Sequence, residues 1–154
     1  MKCFSIFFLI RLFLGCLFLI SGGEKLLSPY ENFLYVVQGY DVVNFFGLDV
    51  IVAGIFPWIE FCLGGFIVLG LYLKASLVLA MLTNIGFICF VSQAIIRKLS
   101  LESCGCFGDL MKVPLQTILK MDILILILFI WVLCRLSLAK SCSLDQFLED
   151  KYGK

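Results

Sequence analysis

The chain has 154 residues, of which 62% are hydrophobic and 15% charged, and it contains eight cysteines and no histidine. This composition is far too apolar for a soluble domain of this size, and a formal net charge of +1 gives no basic surface for binding nucleic acid. The lack of histidine removes the commonest general base and the commonest zinc ligand, which narrows the expected chemistry to thiols and carboxylates.

Charged residues divide the sequence into four long apolar segments, each able to cross a membrane as a helix. About 20 apolar residues suffice, because a helix rises about 1.5 Å per residue and the hydrocarbon core is about 30 Å thick. The predicted spans cover residues 3–23, 50–73, 75–96 and 115–138. Since backbone polar groups in lipid must be satisfied within the helix, we predict an all-α, integral membrane four-helix bundle over residues 1–140. Residues 141–154 form a short polar tail.

The first span could instead be a cleaved signal peptide. Its apolar stretch is longer than a signal core, Arg11 interrupts it, and no small-x-small cleavage site precedes Ser21-Gly22-Gly23. We therefore expect a retained span.

A shorter amphipathic helix is predicted over residues 29–40, in the loop that follows the first span. Ser28-Pro29-Tyr30-Glu31 has the form of a capping box with proline at the first helical position. Apolar residues then recur at helical spacing, at Phe33, Val36, Val37 and Tyr40. We expect this helix either to lie flat at the membrane interface or to cover the mouth of the bundle.

An even number of spans puts both termini on one side of the membrane. Six Lys and Arg residues in the tails and loops or near the ends of the spans fall on that side, and five fall on the other. By the positive-inside rule, this small bias predicts cytoplasmic termini and an extracytoplasmic loop between the third and fourth spans.

That loop contains Cys104-Gly105-Cys106, the sequence feature that most directly indicates chemistry. A disulfide between residues i and i+2 closes a small, strained ring, and strain raises the reduction potential of the bond. The motif therefore predicts a redox-active thiol pair. Unreactive loop thiols and half of a metal site are the alternatives, but a metal needs two more ligands and Cys142 is predicted on the opposite face, so no metal is expected.

Five of the other cysteines lie inside apolar segments, and we predict that they are packing residues. They are Cys3, Cys16, Cys62, Cys89 and Cys134.

Two charges, Arg11 and Glu60, lie near the middle of their predicted spans, with heights that differ by about 5 Å. A charge at the bilayer centre costs at least about 2.5 kcal/mol, so we expect these two to meet inside the bundle. They would form a polar site for a headgroup, a quinone or a proton, or a pair that fixes the helix register. Asp122 lies near the outer end of the fourth span, where it could orient Lys25 or Lys120 or face water.

The order of several motifs resembles one family. The first span carries Arg11-Leu12-Phe13-Leu14-Gly15, Phe18, Ser21-Gly22-Gly23, Lys25-Leu26 and Pro29 with Phe33, and the second carries Pro57-x-x-Glu60 with Gly64-Gly65. Both resemble DoxX-like membrane proteins. Cys104-Gly105-Cys106-Phe107-Gly108, followed by Asp122, is similar to the MauE branch, the methylamine-utilisation membrane proteins. The resemblance implies a four-helix inner-membrane protein that takes part in methylamine dehydrogenase maturation beside a thioredoxin-like partner.

The predicted function is disulfide formation or thiol–disulfide exchange in extracytoplasmic proteins. Cys104 and Cys106 are the expected reactive thiols, and the expected supporting residues are Arg11, Lys25, Glu60 and Asp122. Oxidising equivalents would come from a thioredoxin-like partner or from a quinone. Two other hypotheses stay open: a non-catalytic membrane scaffold whose cysteine loop docks a partner, and a small transporter or proton pathway centred on Arg11 and Glu60.

Overall fold

A computed structural model describes residues 6–39, 48–97 and 115–136, and within these ranges the chain is helical with no strand. The helices are α1 (Ile6–Leu27), α2 (Tyr30–Gly39), α3 (Leu48–Leu69), α4 (Leu73–Ile96) and α5 (Leu115–Cys134). Within the described ranges four of them, α1, α3, α4 and α5, are long and apolar enough to cross a membrane. The predicted all-α four-helix membrane fold is therefore confirmed.

The first two long helices end at other residues than predicted. The helix predicted to end at residue 23 continues to Leu27, so the charged residues Glu24 and Lys25 belong to α1. The helix predicted to reach residue 73 stops at Leu69, where Gly70 takes a left-handed conformation (φ 72°). Gly70 N–H donates to the Phe66 carbonyl over 2.8 Å, which closes the helix end before the turn into α4.

Helices α1 and α3 run antiparallel and share the most extensive interface of the bundle. Glycines allow the two backbones to approach: a Cβ at Gly22 would lie 2.6 Å from the Phe61 amide nitrogen, and one at Gly64 would lie 2.6 Å from that of Leu19. Small residues at such crossings are typical of helix packing in membranes, where dispersion rather than water exclusion drives association. The contacts fix which levels of α1 and α3 face each other.

One apolar cluster joins all four long helices. The Phe18 ring of α1 meets Phe129 of α5 edge to face, with centroids 5.7 Å apart. Around this pair are the buried residues Leu14, Leu63, Ile67, Leu73, Leu77, Ala80, Ile125 and Val132. Each long helix also exposes large apolar side chains on its outer surface, which suits contact with lipid.

The short helix α2 packs on α3. Its buried Phe33 and Val37 contact Ala53, with Val52 and Phe56 partly buried around them. Helix α2 therefore covers one end of the bundle, one of the two arrangements expected of it, and its position relative to a membrane surface stays a prediction.

The cysteines in the apolar segments were predicted to be packing residues, and this is wrong for those that the structure describes. Cys16, Cys62, Cys89 and Cys134 are free thiols exposed on the outer surface of the bundle. The fifth, Cys3, lies outside the described residues. An apolar segment predicts a membrane helix, but with lipid on one side such a helix has no polar face to show which positions point inward.

Candidate functional site

A buried ion pair joins α1 to α3. Lys25, in the last turn of α1, lies with its Nζ 2.6 Å from Glu60 Oε2, and the two side chains are 1% and 2% exposed. Lys25 Nζ also donates to Ser21 Oγ over 2.9 Å, a contact that follows from their separation of one helical turn. A lone charge buried between membrane helices is costly, and the attraction between these two opposite charges offsets that cost.

Two aromatic rings enclose the ammonium. Lys25 Nζ lies 5.0 Å from the centroid of Phe87 on α4 and 5.5 Å from that of Phe33 on α2. The negative face of an aromatic ring attracts a cation at such distances. The Lys25 ammonium is therefore held by groups from α1, α2, α3 and α4.

Beside the ion pair lie two more buried polar side chains, Asn84 of α4 and Asp122 of α5. They are 3% and 6% exposed. Asn84 Oδ1 and Asp122 Oδ2 make no hydrogen bond within the part of the chain that the structure describes. Asp122 interacts electrostatically with both Lys25 and Glu60, so these residues form one polar cluster, defined here as Ser21, Lys25, Glu60, Asn84 and Asp122.

The polar cluster borders a cavity of about 30 Å³. Its lining is Leu17, Phe18, Ser21, Glu60, Asn84, Phe87, Asp122 and Ile125. A water molecule needs roughly 10–15 Å³ measured this way, so the cavity has room for roughly two waters. It is far too small for a quinone ring or a lipid headgroup.

The expected pairing of Arg11 with Glu60 is wrong. Arg11 is buried, but its guanidinium lies 3.5 Å from the Val68 carbonyl oxygen and 4.8 Å from the Phe8 ring centroid. Val68 lies eight residues beyond Glu60 on α3, which is about 12 Å along the helix axis. The prediction failed because it aligned the two spans by their centres, whereas the close approaches of Gly22 to Phe61 and of Gly64 to Leu19 set a register that brings Lys25, not Arg11, to Glu60.

Of the residues predicted to support function, the structure brings together Lys25, Glu60 and Asp122 and leaves Arg11 at another level. Of the three alternatives for Asp122, an interaction with Lys25 is favoured over exposure to water, because Asp122 is buried and interacts electrostatically with Lys25. Sequence reasoning missed Asn84. The sequence could have indicated it, because Asn84 is a strongly polar amide in the middle of a predicted span that contains no charged residue.

Cys104 and Cys106 lie outside the described residues, in the segment 98–114 that joins α4 to α5. Among the described residues, no group of three or more His, Cys, Asp or Glu side chains could hold a metal ion.

These features define a multi-pass helical membrane protein with a buried polar cluster near one end of its bundle. The family model of the methylamine utilisation protein MauE matches residues 3–135. The chain therefore belongs to the MauE family, while the wider DoxX-like grouping stays a prediction from resemblance. Searches of curated proteins and of solved structures gave no match.

Proposed function

We propose that this protein lies in the inner membrane and supports disulfide formation or thiol–disulfide exchange in extracytoplasmic proteins through Cys104 and Cys106. The supporting observation is that the family match covers residues 3–135 and so includes the Cys-Gly-Cys motif. The family description names methylamine utilisation, and maturation of methylamine dehydrogenase is the specific role that this name implies. The proposed thiol chemistry does not depend on methylamine as a growth substrate of the host.

Helix directions support a placement of the motif near the polar cluster. Helix α1 is antiparallel to α3, and each following long helix reverses direction again, so α1 and α4 end at the same side of the bundle. Lys25 is in the last turn of α1, and Asp122 lies seven residues after the start of α5, about 10 Å along its axis. In this proposal the cluster supports the helix ends that carry the loop.

The proposed reaction is a two-electron exchange. A substrate thiolate attacks one sulfur of the Cys104–Cys106 disulfide, which forms a mixed disulfide and releases the other cysteine as a thiolate. A second substrate thiolate then attacks the mixed disulfide, so the substrate leaves oxidised and the cysteine pair is left reduced. The disulfide of a thioredoxin-like partner, or a quinone that takes up two electrons and two protons, restores the pair. The same steps in reverse would reduce a substrate disulfide.

A transport pathway centred on Arg11 and Glu60 loses support, because the two residues are not partners. The scaffold hypothesis differs from the proposal in a direct way: it requires the loop but not its sulfur atoms.

Trapping of mixed disulfides distinguishes the proposed thiol exchange from the scaffold hypothesis. Cys104→Ser and Cys106→Ser should each leave one cysteine that cannot be resolved, and one of the two variants should accumulate a covalent adduct that disappears on reduction. The double variant should form none, and Cys89→Ser serves as the control that retains both loop thiols. If neither single variant forms an adduct with an extracytoplasmic protein, thiol exchange through this pair is wrong and a docking role is favoured.

A further inference from the structure

We propose that the cavity beside the ion pair binds one monovalent cation, H⁺ or Na⁺, at Asp122 and Asn84. The proposal goes beyond the thiol chemistry, because it concerns the membrane-embedded cluster and does not require the cysteine loop.

The first argument is hydrogen bonding. Asn84 Oδ1 and Asp122 Oδ2 are acceptor atoms, both on side chains more than nine-tenths buried, and both residues line the same cavity. A buried polar group without a partner is costly, more so in a membrane, where water cannot reach it from the lipid side. Two neighbouring acceptors require an occupant that donates hydrogen bonds or carries positive charge.

The second argument is charge. Lys25 carries one positive charge and is already bonded to Glu60 and Ser21. Asp122 therefore adds a negative charge that no second cation among the described residues of the cluster balances. One monovalent cation makes the cluster neutral, whereas a divalent ion would leave it positive.

The third argument is the donor set and the space. Ser21, Glu60, Asn84 and Asp122 bring four oxygen-bearing side chains to the cavity wall, and hard cations prefer oxygen ligands. About 30 Å³ accommodates a small ion with a water, or roughly two waters bonded to a protonated Asp122. In the protonated form, the Asp122 hydroxyl supplies the donor that the Asn84 oxygen lacks.

The charged groups that face Asp122 are Lys25 from α1 and Glu60 from α3, and α4 contributes the neutral Asn84 and Phe87. These neighbours allow the sign of a pH effect to be assigned. If the folded site holds a proton that the unfolded chain releases, stability falls as the pH rises. Protonation of Glu60 would break its ion pair with Lys25 and act in the opposite direction, lowering stability as the pH falls.

Thermal unfolding of the purified full-length protein in detergent tests the proposal. The Tm is measured in NaCl and in choline chloride at equal ionic strength, at mildly acidic and at mildly alkaline pH. A sodium site predicts a higher Tm in NaCl, most clearly at alkaline pH, and a proton site predicts a higher Tm at acidic pH in both salts. The expected shift is about 2–4 °C or more.

Asp122→Asn should abolish the dependence of the Tm on Na⁺ or on pH. Glu31→Gln, which changes an exposed carboxylate on α2, should retain it. If Asp122→Asn fails to fold, Asn84→Leu is used, and it should weaken the same dependence. The proposal is overturned if the Tm of the unmodified protein responds to neither cation, or if the variants respond as it does. Because thiols take no part in this readout, its outcome is independent of the proposed disulfide chemistry.

Discussion

Lys25 and Glu60 form a buried ion pair between α1 and α3, with 2.6 Å between the ammonium nitrogen and a carboxylate oxygen. Both side chains are almost completely buried, and the rings of Phe33 and Phe87 enclose the ammonium. The pair therefore connects the apolar helix interfaces to the polar cluster. It also explains why α1 continues past the charged residues that were expected to end it.

Removal of one partner of this pair should be strongly destabilising. Lys25→Met leaves the Glu60 carboxylate buried without its cation, and a loss of about 3–5 kcal/mol in unfolding free energy is expected. The double variant Lys25→Met/Glu60→Leu should recover most of that loss, because it removes both charges. Unfolding with SDS in mixed micelles measures both values. The control is Lys74→Met, which changes an exposed lysine on α4 and should alter the unfolding free energy by no more than about 0.5 kcal/mol.

Arg11 and Glu60 should be energetically independent. The register separates their levels by about 12 Å, and residues more than about 7–10 Å apart with no shared partner have additive effects. A double-mutant cycle of Arg11→Met and Glu60→Gln should give a coupling energy below about 0.5 kcal/mol. The same cycle for Lys25→Met and Glu60→Gln should give well over 1 kcal/mol, and equal couplings in the two cycles would contradict the register.

The adjacent glycines Gly64 and Gly65 offer a matched pair for the α1–α3 interface. A Cβ at Gly64 would lie 2.6 Å from the Leu19 amide nitrogen and 2.9 Å from the Gly15 carbonyl oxygen, whereas one at Gly65 meets nothing within 4 Å. Gly64→Ala should therefore cost about 1–3 kcal/mol in unfolding free energy. Gly65→Ala should be neutral or stabilising by up to about 1 kcal/mol, since alanine favours a helix. Equal losses for the two variants would show that α1 does not cross α3 at Gly64.

The exposed cysteines should be dispensable. Since Cys16, Cys62, Cys89 and Cys134 lie on the outer surface, alanine at each should change the unfolding free energy by no more than about 0.5 kcal/mol. Unfolding of the combined variant measures this directly. A loss of several kcal/mol would mean that at least one of these thiols is buried in an interface.

The sequence predicts the helices well, because the spans depend on a strong and local signal. A helix in lipid needs only about 20 apolar residues, and the third span, which lacks charges, was predicted at 75–96 and is observed at Leu73–Ile96. The end of α3 was harder to predict, since it depends on the left-handed conformation of Gly70.

The site was predicted in its residues but not in its pairing. Glu60 and Asp122 were selected as charges within predicted spans, whereas Lys25 lay outside its predicted span and was selected as a residue that Asp122 could orient and from the family resemblance. Which of them meet depends on the helix register, and the observed register of α1 against α3 brings Lys25 rather than Arg11 to Glu60. That register follows from close contacts at Gly22 and Gly64. The sequence alone does not show which residues of the neighbouring helix these glycines face.

The central claim, an extracytoplasmic and redox-active pair at Cys104 and Cys106, is tested most directly by thiol labelling in intact cells. The other six cysteines are replaced, and a membrane-impermeant maleimide is applied before and after mild reduction. The proposed function predicts that the pair labels in intact cells only after reduction, as an external disulfide would. Labelling that appears only after the cells are permeabilised would contradict it, because the cytosol keeps thiols reduced and an inward-facing pair could not donate disulfides to exported proteins.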